Sequence, residues 1–378
     1  MPSSPALPDW QTAVVKVGSA LVAPDARGCS TRYLLPIAQW IREHRAQGKT
    51  VIVVSSGAVA AGRAAQGRAD ATTSLTIPEK QALAAIGQSL LMQHWSRLFD
   101  VPCAQVLLTY DDLRRRSRFV NAKNTLSALI DTGALPIVNE NDTVAVEELH
   151  VGDNDNLAAF VAVLAEADLL VMCSDVDGLY DADPHTTPGA TRIPQVDAID
   201  ASIYALAGGS HHAAATGGMR TKIEAAEKAT DRGIPAVIVN GTKRAHFDAL
   251  RGGTVPGTLF KAAAPDRQLS SRKHWMRHAL SATGTLFVDA GAARALQEQG
   301  ASLLPSGITD VQGTFARGDA VTVALRIGGE IQPVAKGITQ YGAAEVQAIQ
   351  GRHSTAMAEV LDTAPVDYVI HRNDLVLL

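Results

Sequence analysis

The sequence predicts an α/β fold with a second, smaller domain: a mostly parallel, open sheet sandwiched by helices, followed by a small, mainly β C-terminal domain. Three observations carry this. Over the first two-thirds of the chain, short, fully apolar runs alternate with longer helical patterns, which is how strands buried on both faces by helices read. Polar residues and glycine cluster directly after these runs, where an open parallel sheet binds its ligands. From about residue 284 the apolar runs shorten and glycines punctuate them, as in small β domains.

In chain order, 14–17 reads as the first strand. A helical pattern from about residue 31 to 47 follows, and Gly48 suits the position just past a helix end. Residues 51–54 form an apolar run, after which Ser55-Ser56-Gly57 opens a helix. Pro78 sits near the start of another helical stretch that runs towards Phe99, where a first-turn proline is tolerated. Further strands are expected at 106–108, 136–138, 169–172 and 236–239, with a helix ending near Gly133. Beyond a basic stretch around 262–279, strands are expected at 285–288, 320–325, 334–338 and 366–370, and a helix at 292–299. The expected domains are 1–262 and 282–378, joined by a linker at 263–281.

Composition narrows the function. The chain has 378 residues, 46% hydrophobic and 19% charged, with a formal net charge of −4, which excludes disorder and argues against a general nucleic-acid binder. Cys29, Cys103 and Cys173 form no CxxC pair, so a cysteine-based zinc site is not expected. Sparse cysteines suit a reducing compartment. The first ten residues lack the features of a signal peptide, and the longest apolar run, 157–165, is too short for a membrane span. A cytoplasmic protein is expected.

Three segments stand out. Lys16 lies inside Val-Val-Lys-Val, where its ammonium must either meet an anion or reach water from an edge strand. Thr216-Gly217-Gly218-Met219-Arg220-Thr221-Lys222 places two glycines before a helical pattern. This is either a simple turn or a loop whose free N–H groups and Lys222 receive phosphate; it is no P-loop, because GxxxxGK[ST] is absent. Asp153-Asn154-Asp155-Asn156 precedes the 157–165 run. One such residue serves as an N-cap, and the surplus suggests recognition of an amino group or a metal. His211-His212 and Arg114-Arg115-Arg116 read as solvated surface.

Taken in order, Lys16-Val17-Gly18-Ser19, Ser56-Gly57-Ala58-Val59-Ala60-Ala61-Gly62, Asn139-Glu140-Asn141-Asp142, Gly152-Asp153-Asn154-Asp155-Asn156-Leu157, Ser174-Asp175 with Gly178-Leu179-Tyr180, and Thr216-Gly217-Gly218-Met219 with Thr221-Lys222 resemble the motifs of the amino acid kinases. The Asn-Glu-Asn-Asp and Gly-Asp-Asn-Asp-Asn-Leu pair is similar to that of the members that phosphorylate glutamate at the head of proline synthesis. The tail, with Ser302-Leu303-Leu304-Pro305-Ser306-Gly307, resembles a PUA domain.

This resemblance implies transfer of the γ-phosphoryl group of ATP to the side-chain carboxylate of L-glutamate, with Mg2+ carried on the ATP phosphates rather than by a metal site of the chain. It implies Lys16 and Lys222 as catalytic lysines and Asp155 as a residue that orients a lysine. The implied ATP-binding positions are Lys16, Gly18, Ser174, Asp175, Thr216, Gly217, Gly218, Met219, Arg220, Thr221 and Lys222. Ser56, Asp142, Asp153 and Asn154 are implied for glutamate, whose ammonium needs anionic partners. It further implies a homo-oligomer and proline as a candidate feedback inhibitor. A competing reading, RNA binding through the tail, meets an unfavourable charge balance: residues 281–378 hold six basic side chains against ten acidic ones, the wrong sign for phosphate.

Overall fold

The computed structural model describes residues 4–25, 28–67, 75–145, 154–184, 186–207, 218–353 and 366–378. The chain divides into two units, Met1–Gln268 and Leu269–Leu378. Among the described residues no helix is long and apolar enough to cross a membrane.

The first unit runs β1 (Thr12–Val17), α1 (Ser19–Val22), α2 (Leu34–Ala46), β2 (Thr50–Ser55), α3 (Ala58–Ala65), α4 (Ile77–Ser96), β3 (Cys103–Leu108), α5 (Tyr110–Arg114), α6 (Arg116–Asp131), β4 (Leu135–Glu140), α7 (Asn154–Leu164), β5 (Leu169–Ser174), β6 (Gln195–Val196), α8 (Ala201–Leu206), α9 (Met219–Thr230), β7 (Ala236–Asn240), α10 (Arg244–Arg251) and β8 (Thr258–Phe260). Its eight-stranded sheet has the order β3-β4-β2-β1-β5-β7-β8-β6. The strands from β3 to β7 in that order pair parallel, and β8 pairs antiparallel to β7. The sequence reading contains neither β6 nor β8. Both are too short to carry a hydrophobic period, and β8 is held by side chains as well: the Thr258 hydroxyl donates to Ile193 O at 2.6 Å and accepts from Leu179 N at 2.8 Å.

Alternation along β1 decides where its lysine points. Ala13, Val15 and Val17 join the core cluster that contains Ile37 and Ile41 of α2 and Phe247 and Leu250 of α10. Val14 and Lys16 therefore face the opposite side of the sheet, against α7. Lys16 lies in register between Val54 of β2 and Met172 of β5, so β1 is an interior strand and the edge-strand reading of this lysine does not hold.

Helices α3 and α4 meet at backbone contact. A Cβ on Gly62 would lie 1.9 Å from Leu83 O, and one on Gly87 1.8 Å from Ala58 O, so only glycine permits this approach. The start of α4 is fixed by a capping box between Thr76 and Glu79, with Pro78 in the first turn. Gly48 has φ +82° immediately after α2, as expected for a helix-ending glycine.

The second unit comprises α11 (Ser271–His278), β9 (Gly284–Val288), α12 (Ala290–Gln299), β10 (Ile308–Gly313), β11 (Ala320–Ile327), β12 (Glu330–Ile338), α13 (Ala343–Ile349) and β13 (Leu375–Leu377). A five-stranded sheet, β10-β9-β11-β12-β13, covers its own core, which includes Leu286, Leu296, Val321, Val323 and Val346. The expected linker at 263–281 spans the division between the units and includes α11. The strand expected at 366–370 is not formed. Its backbone groups go elsewhere: the Tyr341 hydroxyl accepts from Val366 N at 2.7 Å and donates to Val366 O at 2.6 Å, and Ile370 makes only an isolated bridge to Leu303. The last strand is β13, paired with β12.

Candidate active site

The C-terminal ends of β1, β2, β4 and β5 open into one cavity of about 500 Å³, lined by Lys16, Gly18, Ser56, Gly57, Arg63, Asn139, Glu140, Asp142, Asn154, Asp155, Ser174, Asp175 and Lys222 among others. Each strand delivers its last residues there because parallel strands share a direction. After β2 the chain turns into α3 through Gly57, at φ +110°, where a Cβ would lie 2.7 Å from Val22 Cγ1. A side chain here would meet both backbone strain and a clash.

The floor of the cavity is a Lys–Asp–Lys bridge. Asp155 binds Lys16 Nζ through Oδ1 at 2.6 Å and Lys222 Nζ through Oδ2 at 3.0 Å. The Thr221 hydroxyl adds a third contact to Oδ2 at 2.9 Å. Asp155 is fully buried, and Lys16 and Lys222 are 6% and 4% exposed, so each charge needs its partner. Burial alone pushes the Asp155 carboxyl upward, but the two ammoniums outweigh it and hold it at about 2. One carboxylate against two ammoniums leaves this bridge with net positive charge, facing a cavity, which suits it to phosphoryl oxygens.

Beside the bridge lies a cluster of amides and hydroxyls. Asn154 Nδ2 donates to Asn139 Oδ1 at 2.8 Å, Ser56 Oγ at 3.0 Å and Ser55 O at 3.2 Å. Ser55 Oγ in turn accepts from Trp95 Nε1 at 2.8 Å. Asp142 lines the same cavity, and burial pushes its carboxyl up to about 6. It is therefore an acid that gains from a cationic ligand. Cysteine chemistry has no place here: Cys173 is fully buried in β5, and burial pushes its thiol up to about 12.

Residues 11–240 match the model of the amino acid kinase family. The chain belongs to the amino acid kinase family. Residues 284–361 match the PUA domain. A protein of Salinibacter ruber named glutamate 5-kinase is 69% identical to the chain over 98% of each sequence. Its namesake in Idiomarina loihiensis is 53% identical, again over 98% of both. One in Xanthomonas campestris is 47% identical over 97% of this chain and all of its own.

In this amino acid kinase the cavity brings together Lys16, Gly18, Ser56, Asp142, Asn154, Asp155, Ser174, Asp175 and Lys222. Gly18 N donates to Cys173 O at 3.2 Å, so its own N–H points into the sheet, and it is Ser19 and Ala20 that follow it along the cavity wall. Gly218 stands as the N-cap of α9, and Thr221 reaches the bridge through its hydroxyl. Arg220 turns away, pairing with Glu224 at 3.1 Å, and Met219 does not line the cavity. Asp153, Thr216 and Gly217 lie outside the described residues, as do His211 and His212. Asn154, Asp155 and Asn156 form the first turn of α7 rather than preceding it. That places Asp155 over β1, the face to which Lys16 points.

Sequence reasoning missed Arg63, Gln88 and Trp95. Arg63 follows the glycine of the quoted Ser56–Gly62 motif, so its place was within reach. Gln88 and Trp95 lie in a helix whose pattern signals only packing, and nothing local marks them. The donor chemistry for a metal is also legible in the structure. Both Asp155 oxygens are engaged by ammoniums, and the described residues hold no group of three His, Cys, Asp or Glu side chains placed to bind a cation. The described side chains therefore do not form a magnesium cage of their own.

Proposed function

We propose that the chain transfers the γ-phosphoryl group of ATP to the side-chain carboxylate of L-glutamate, giving L-glutamyl 5-phosphate and ADP, the first step of proline biosynthesis. The observation that carries this is the buried Lys16–Asp155–Lys222 bridge opening onto the same cavity as Asp142, Asn154 and Ser56. Cations that suit a phosphoryl group thus stand beside an acid and amides that suit an amino acid. The match to relatives named glutamate 5-kinase over nearly the whole chain supports the choice of substrate.

The chemistry asks little of the protein beyond placement and charge. A glutamate carboxylate oxygen forms a bond to the γ-phosphorus, and the bond from that phosphorus to the β,γ-bridging oxygen breaks, leaving ADP. The acceptor is already an anion, so no general base is required. Lys16 and Lys222 offset the negative charge of the transferring group, and Asp155 holds both ammoniums in position beforehand, so little reorganisation is needed at the moment of reaction. Asp142 takes the substrate ammonium, with Asn154 and Ser56 beside it. Ser174, Asp175 and the α9 N-terminus at Gly218 face the nucleotide. Magnesium, when it arrives on the ATP phosphates, lowers their charge.

The same reading extends to a cytoplasmic setting, assembly into homo-oligomers, feedback by proline, and confinement of the chemistry to the first unit. Light scattering of the purified chain and proline added to the assay check oligomerisation and feedback. The central test is ATP-dependent hydroxamate formation, in which hydroxylamine traps an acyl phosphate. Signal with glutamate and little with aspartate or N-acetylglutamate is expected. A stronger signal with either alternative would reassign the substrate, and no signal with any acid would reject carboxyl phosphorylation.

A further inference from the structure

The amide cluster beside the lysine bridge has a defined polarity, and one residue outside the cavity lining helps to hold it in place. Asn139 Oδ1 accepts from the main-chain N–H of Glu140 at 2.9 Å. A main-chain N–H can only donate, so the Asn139 carbonyl must face it. Asn139 Nδ2 then points the other way and donates to Gln88 Oε1 at 2.9 Å. Because Asn139 presents its oxygen to Asn154, Asn154 must answer with its NH2, which it also gives to Ser56 Oγ and Ser55 O. Two consequences follow. Asn154 Oδ1 is a buried acceptor with no donor among the described residues. The Ser56 oxygen is occupied as an acceptor, so its hydroxyl hydrogen remains to be given.

Resting on the reading above, we propose that Gln88 is a positioning residue for the amino-acid acceptor. By accepting from Asn139 Nδ2 it holds in place the Asn139–Asn154 amide pair, whose sense the Glu140 N–H sets, so that Asn154 Oδ1 is kept as an acceptor for the substrate ammonium and the Ser56 hydroxyl as a donor for a substrate carboxylate. Gln88 reaches Asn139 because the next residue back, Gly87, lets α4 lie at backbone contact on Ala58 O. Its own Nε2 has no partner among the described residues, so only its acceptor oxygen is used. Without that oxygen, Asn139 Nδ2 is left with no acceptor, and although the Glu140 N–H still sets the sense of the pair, its position is held less firmly.

The asymmetry supplies the test. Gln88→Met removes the acceptor at similar volume, whereas Gln88→Glu keeps it and discards only the unused donor. Steady-state hydroxamate kinetics on the full chain are measured for wild type first, then for each variant, with thermal unfolding as a check on folding. Gln88→Met is expected to raise KM for glutamate about tenfold, the effect of about one lost hydrogen bond, while kcat and KM for ATP stay within about twofold. Gln88→Glu is expected to restore KM for glutamate to within about twofold of wild type. If Gln88→Met does not fold, Gln88→Ser, which keeps a polar side chain at a half-buried helix position, withdraws the same acceptor and must give the same rise. An unchanged KM for glutamate in Gln88→Met or Gln88→Ser, an equal rise in Gln88→Glu, or a change confined to kcat or to KM for ATP overturns the proposal. A wild-type chain inactive on glutamate would instead reject the functional reading itself.

Discussion

Lys16 Nζ lies 2.6 Å from Asp155 Oδ1, a contact between the middle of the sheet and the first turn of the helix that crosses it. The same carboxylate holds Lys222 through its other oxygen at 3.0 Å. Two cations that would otherwise repel are held side by side by a single anion. A net positive charge is therefore built into the cavity by the fold.

Removing one of these cations should act on the chemical step. Lys222→Ala is expected to lower kcat by roughly 10²–10³ with little change in KM for glutamate, since its charge matters most as the phosphoryl group leaves. Steady-state hydroxamate kinetics decide it; a near-normal kcat removes Lys222 from the mechanism.

Removing the shared anion should act on stability as well. Asp155→Asn leaves two buried ammoniums without a carboxylate, and a loss of about 3–5 kcal/mol is expected in urea unfolding at neutral pH. The folded-state carboxyl stands at about 2, below its ordinary 3.8, so its contribution is complete above that ordinary value and is lost as pH falls towards 2. The wild type should lose about 2 kcal/mol over that window through this group, and the variant should lack that part of its acid dependence. Matching acid limbs would contradict the ion-pair assignment.

Asp142 makes the opposite prediction for binding. Its carboxyl is raised by burial to about 6, and only the ionised form attracts an ammonium. KM for glutamate should therefore climb as pH falls from 8 through 6, while KM for ATP stays flat. Asp142→Asn should have a raised KM for glutamate at every pH and no such climb. Equal changes in both KM values would place Asp142 at the nucleotide instead.

The glycine contact between α3 and α4 is open to a direct check. Gly87→Ala would put a Cβ 1.8 Å from Ala58 O, a backbone atom that cannot swing aside. A destabilisation of about 1–3 kcal/mol is expected from such overpacking, together with a raised KM for glutamate because α3 and Gln88 both move. Unfolding midpoints and kinetics measured on the same preparation report both effects.

The second unit has a core of its own, and every described residue proposed for the chemistry lies before it. A chain ending at Gln268 should stay soluble and form hydroxamate. A folded but inactive truncate would show that the tail completes the site.

Much of this was legible beforehand because it is written locally. The buried strands announce themselves as apolar runs, and the site residues follow those runs directly, so Lys16, Ser56, Asp142, Ser174 and Asp175 were within reach. What was not legible depends on contacts between distant segments. Nothing near Lys16 says that β1 is interior; that follows from its pairing with β2 and β5 together. Strand β8 has too few residues for a period. The segment 366–370 looked like a strand, but partners supplied from elsewhere, the Tyr341 hydroxyl at Val366 and the backbones of Leu303 and Gln340 at Val369 and Ile370, take up its backbone groups. Gln88 carries no local mark because its partner, Asn139, comes from strand β4, distant in sequence.

The sheet places all of this at one rim. The opposite rim, where Gly48 leads into β2 and Gly133 into β4, has turns at φ +82° and +76° with nothing within 4 Å of a would-be Cβ. Those turns are the natural places to splice in an epitope tag, a fluorophore site or a tether to a solid support. A graft there lengthens a surface loop at modest entropic cost and stays clear of the rim that holds the cavity, so the chain can be watched or immobilised without touching that rim.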